Sequence, residues 1–69
     1  MTLTNSAALR KAVDKSGLKY MKIASEMGIS PYTLQKKIDN ETEFKASEIV
    51  KLSSLLALSD TERSSIFFA

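Results

Sequence analysis

Within four residues, Gly28-Ile29-Ser30-Pro31, the chain stops one helix and starts another. Glycine enters the left-handed conformation that ends a helix without a Cβ clash. Serine offers an oxygen to the free N–H groups of a helix start, and proline at the first helical position has no N–H to leave unpaired. Apolar residues flank this signal at helical spacing: Ile23, Ala24 and Met27 before it, Leu34 and Ile38 after it. Two short helices joined by so tight a turn cross closely. Ala24 is the small residue such a crossing needs, and Ile29 is placed to plug the core beneath the turn.

The rest of the chain follows the same period. No β-branched alternation of the strand type occurs, and no repeat, linker or low-complexity segment divides the 69 residues, so one all-α domain spanning 1–69 is expected. A first helix should run from about Ser6 to Ser16, capped by Thr4 or Asn5 and ended by Gly17, with Leu9 and Val13 inward and Ala8 and Ala12 beside them. The second should cover Lys19 or Tyr20 to Met27, and the third should follow Ser30 and end near Ile38. A polar loop over 39–45 leads to a fourth helix over about Ala46–Ala57, with Ile49, Leu52, Leu55 and Leu56 as its inner stripe. Lys45 is a poor cap for it, though Glu48 stands at the third helical position and Phe44 and Ile49 at the spacing of a hydrophobic staple. Ser59-Asp60-Thr61-Glu62 reads as a capping box opening a short fifth helix. Its apolar end, Ile66-Phe67-Phe68, either closes the core or forms a dimer patch. Met21 and Met27 are core candidates.

Composition limits the chemistry. The chain has no cysteine and no histidine, which removes disulfides, the usual zinc ligands, the commonest general base and the thiol nucleophile. No glycine-rich phosphate loop is present, and Glu41 and Glu43 read as ordinary loop charge, so neither an enzyme nor a cofactor or metal site is expected. No apolar run approaches the roughly 20 residues of a membrane span, and no signal-peptide pattern opens the chain, so a cytoplasmic protein without a membrane partner is expected. The formal net charge of +2 is unevenly spread. Residues 1–37 hold seven basic and two acidic side chains, net +5, and residues 38–69 hold three and six, net −3. Such a split steers a polyanion to one half, although Lys11, Lys15 and Lys22 also read as plain solvated charge.

The segment Ile23-Ala24-Ser25-Glu26-Met27-Gly28-Ile29-Ser30-Pro31-Tyr32-Thr33-Leu34 resembles the lambda-repressor-like helix-turn-helix family, which includes the phage Cro and repressor DNA-binding domains. The resemblance lies in the Ala–x–x–x–Gly–Ile–Ser–x–x–Thr–Leu spacing. It continues through Phe44-Lys45-Ala46-Ser47-Glu48-Ile49 and the Ile66–Ala69 ending, which look like small phage and prophage regulators of Gram-positive bacteria. The resemblance implies a compact five-helix bundle whose helix-turn-helix spans about residues 20–39, a double-stranded DNA operator as partner, a homodimer, and transcriptional regulation. The chain differs from the usual pattern at Lys19, where a Ser or Thr cap is common, at Tyr20, where Gln is common, and at Lys37, where many members are apolar.

Carried over by position, the resemblance makes Tyr32, Gln35 and Lys36 the base contacts, since they share a face of the third helix. Tyr32 suits a thymine methyl or a base edge, Gln35 suits adenine in a bidentate manner, and Lys36 suits guanine O6 and N7. Tyr20, Ser30, Thr33, Lys37 and Asn40 are then the backbone contacts. Asp39 would repel phosphate, so its expected roles are to cap, to orient a lysine, or to accept from cytosine N4. The rival expectation is a protein-binding module, an antirepressor, antitoxin or co-regulator, working through the acidic fourth and fifth helices.

Overall fold

In the computed structural model, which describes residues 4–67, Asn5 opens α1 (Ser6–Ser16): its side-chain oxygen accepts from the Ala8 amide at 3.1 Å. Gly17 ends α1 in the left-handed region. Next, α2 (Tyr20–Met27) starts behind Lys19 without a side-chain cap, and α3 (Pro31–Ile38) starts behind Ser30, whose Oγ accepts from the Thr33 amide at 3.1 Å. α4 (Ala46–Leu55) has half a capping box: Glu48 Oε1 accepts from the Lys45 amide at 2.8 Å, while the Lys45 ammonium has no lone pair to return the bond. α5 (Asp60–Phe67) has both halves, Ser59 N to Glu62 Oε1 at 2.9 Å and Glu62 N to Ser59 Oγ at 3.1 Å. Among the described residues all regular structure is helical, as the periodicity predicts.

Three helix ends share one device. At Gly28, Asn40 and Ala57 the backbone turns to positive φ (72°, 65° and 53°), and the next amide reaches back five residues to close the last turn. These bonds are Ile29 N to Ala24 O, Glu41 N to Lys36 O, and Leu58 N to Ser53 O. Only the first of these has glycine. The Ala57 turn ends α4 at Leu55, two residues short of the expected Ala57, because neither glycine nor asparagine marks the stop in the sequence.

Five pairs make one core: Leu9 and Val13 of α1, Ile23 and Ala24 of α2, Leu34 and Ile38 of α3, Leu52 of α4 with Leu56 at its C-cap, and Ile66 and Phe67 of α5. In three of the five the pair is four apart, one above the other on a helix face. α2 packs on α3 and α4, and α1 packs on α5 and α3. Ile29 packs against the cluster from the turn. The end of α5 therefore closes the core of a single chain: Ile66 and Phe67 are buried, and the Phe67 ring stands edge-on to Phe44 at 5.5 Å. Phe68, the third residue of that expected patch, lies outside the described residues. Met21 is a correction, being 73% exposed; the inner stripe of α2 is Tyr20, Ile23, Ala24 and Met27, and Met21 is turned away from it.

Candidate nucleic-acid interface

The site begins with what holds α3. Leu34 and Ile38 are almost wholly buried, so the helix is fixed along one side. Pro31 and Tyr32 project from its first turn, and Tyr32 is 72% exposed. Lys36, one turn on, lays its ammonium 5.4 Å from the centre of the Tyr32 ring, which gives the pair a common face with cation and aromatic side by side. Gln35 is half-buried beside them and donates from Nε2 to Asp39 Oδ2 at 3.1 Å. The three residues expected to touch bases are therefore outside the core and close together on one helix.

Ser30 and Thr33 form the entrance to α3. Ser30 Oγ takes the Thr33 amide and donates to Thr33 Oγ1 at 2.9 Å, so both hydroxyls belong to the cap. Tyr20 is half-buried, its body packed against the core. Asn40 is exposed, yet its amide is committed elsewhere: Nδ2 donates to Thr4 O at 2.8 Å and Ser6 Oγ at 3.2 Å, while Oδ1 accepts from Thr4 N at 2.9 Å. With the Ser6 hydroxyl donating to Ile38 O, this clamp ties the start of α1 to the end of α3. Asn40 thus has a structural duty that the sequence alone did not show.

Lys37 is the clear correction among the expected backbone contacts. It is buried, 8% exposed, and its ammonium points inward. Nζ donates to the Glu43 carbonyl at 3.0 Å, pairs with Glu48 Oε1 at 3.0 Å and lies 6.0 Å from the Phe44 ring centre. The physical reason is register: Lys37 sits three residues after Leu34, on the side of α3 that meets the 39–45 loop and α4. Desolvation at this contact raises the Glu48 carboxyl, but the Lys45 amide, the Lys37 hydrogen bond and charge, and the Lys45 charge outweigh it and hold Glu48 below the usual carboxylate range. A lysine held this way is unavailable to phosphate.

Asp39, which ends α3, neither caps with its side chain nor orients a lysine. Its two oxygens take Gln35 Nε2 and Arg10 Nη2, so α1 contributes to the site. Arg10 carried no signal in the sequence, because its partner lies 29 residues away and the meeting depends on how α1 crosses α3. Among the other cations, Lys22 pairs with Glu26 at 3.3 Å, while Lys11, Lys15 and Lys19 are exposed. Among the described residues no three acidic side chains gather as a metal site, and no helix is long and apolar enough to cross a membrane. Compared with protein-family models, curated proteins and solved structures, the chain matches none.

Proposed function

We propose that this protein binds double-stranded DNA sequence-specifically through the outward face of α3 and acts as a small transcriptional regulator of the lambda-repressor-like, Cro-type helix-turn-helix kind. The observation that carries the reading is the contrast along α3: Leu34 and Ile38 are sunk in the core while Tyr32 projects beside Gln35 and Lys36. A helix anchored by one side presents the other to a major groove about 12 Å wide, where amide and ammonium groups meet distinct base-edge patterns. The basic bias of residues 1–37 favours approach to phosphate. Tyr32, Gln35 and Lys36 are the base contacts in this account, and Ser30, Thr33, Tyr20 and Asn40 border the backbone.

Operator occupation by a homodimer completes the proposal, with two copies of α3 in successive major grooves about 34 Å apart. Val50 is 65% exposed and lines an apolar groove with Ala46, Ile49 and Arg63, which favours a protein contact on the α4–α5 side. That groove suits the second copy, and it also suits the rival reading as a module for a different protein.

Selection from random duplex DNA followed by a salt titration tests the function. The expected result is an enriched sequence whose affinity falls roughly 100-fold or more between 50 and 200 mM salt, the signature of several phosphate contacts. No enrichment, or an affinity indifferent to salt, refutes it.

A further inference from the structure

Asp39 is held from two helices at once. Its Oδ1 takes Arg10 Nη2 from α1, and its Oδ2 takes Gln35 Nε2 from α3 at 3.1 Å, so each carboxylate oxygen has a donor of its own. A carboxylate can only accept, so the Gln35 amide must turn its NH2 group toward Asp39, leaving Oε1 on the other branch. The Arg10 contact is charge-assisted and occupies Oδ1, which leaves Oδ2 for the Gln35 amide. It also offsets a negative charge that would otherwise repel a phosphate backbone.

We propose that Arg10 and Asp39 are positioning residues that fix the reading sense of Gln35, so that this side chain accepts adenine and rejects guanine. The inference rests on the DNA-binding role of α3. With one amide N–H given to Asp39, Gln35 keeps one N–H for N7 of a purine, and Oε1 then faces the purine 6-position. Adenine offers a donor there, its N6 amino group, and completes a bidentate pair. Guanine offers O6, a second acceptor, and is repelled. A Gln35 free to turn can offer both N–H groups to guanine N7 and O6; the hold on its amide removes that mode. The specificity of one base position thus depends on a salt bridge to α1.

The test compares wild type, Asp39→Asn and Gln35→Ala by selection from random duplex DNA. Asparagine keeps the shape but both donates and accepts, so the Gln35 amide is released. One position should favour adenine over guanine by roughly tenfold in wild type and lose that purine preference in Gln35→Ala. In Asp39→Asn the same position should keep its purine preference while adenine and guanine come within about threefold, with other positions unchanged. An adenine-to-guanine ratio unaltered in Asp39→Asn, or guanine favoured by wild type, overturns the proposal. If wild type enriches no duplex, the DNA reading falls and takes the proposal with it. The hold on the amide has its own readout: the Gln35 side-chain NH2 resonances in the free protein should shift in Asp39→Asn, and unmoved resonances overturn that part of the account.

Discussion

Glu48→Ala is expected to lower the unfolding free energy by about 3 kcal/mol, because it strands the Lys37 ammonium in a buried site. The two side chains are only 9% and 14% exposed, and their charged ends are 3.0 Å apart. Without Glu48 the cation keeps the Glu43 carbonyl and the Phe44 ring, neither of which carries a full charge. A domain of this size has roughly 3–10 kcal/mol in all, so the loss is a large part of the total. Lys37→Met should behave differently. Methionine fills much of the same space without a charge to desolvate, and Glu48 keeps the Lys45 amide and its place at the N-terminus of α4, so the cost should stay within about 1 kcal/mol. Urea melts of the two variants read the difference, and equal losses would contradict the account of the pair. The pH dependence follows in sign. The Glu48 carboxyl is held lower in the folded than in the unfolded chain, so its contribution is present above the unfolded value of about 4.3 and is lost as pH falls through the lower folded value. Glu48→Gln should flatten that acid limb.

Ile66→Asp is expected to abolish the folded state. Ile66 is 3% exposed, beside Phe67 in the core, and its carbonyl accepts from the Asn5 amide at 2.7 Å, so the residue joins the two ends of the described chain. A carboxylate there loses the apolar burial of the isoleucine and meets no cation in the core cluster, a penalty of several kcal/mol against a total of roughly 3–10. Helical circular dichroism at room temperature should be largely gone. Val50→Asp, at a 65% exposed site, should leave stability within about 0.5 kcal/mol. A cooperative melt near the wild-type temperature for Ile66→Asp would show that α5 does not close the core.

The helices were legible in the sequence because their signals are local. Asn5, Ser30 and the Ser59–Glu62 box each name a helix start within four residues, and Gly17 and Gly28 each name a stop. The early stop of α4 was hidden because alanine at position 57 adopts a left-handed turn that its side chain does not announce. The inward lysine was hidden for a different reason. Lys37 reads as one half of an exposed Lys36-Lys37 pair, and only the packing of α4 and the 39–45 loop against α3 shows that the two lysines face opposite ways. Arg10 and Asn40 belong to the same class: their partners lie 29 and up to 36 residues away, beyond any spacing rule. Exposure of Tyr32 was foreseeable from the helical period, since it shares a face with Lys36 and not with Leu34 and Ile38.

The central claim is that the outward side of α3 reads base pairs, and single alanine replacements at that face test it most directly. Gln35→Ala and Lys36→Ala, titrated against the duplex that wild type selects, should each lose about 1–3 kcal/mol of binding free energy with the helical circular dichroism unchanged. Wild-type affinity in both variants would contradict the claim.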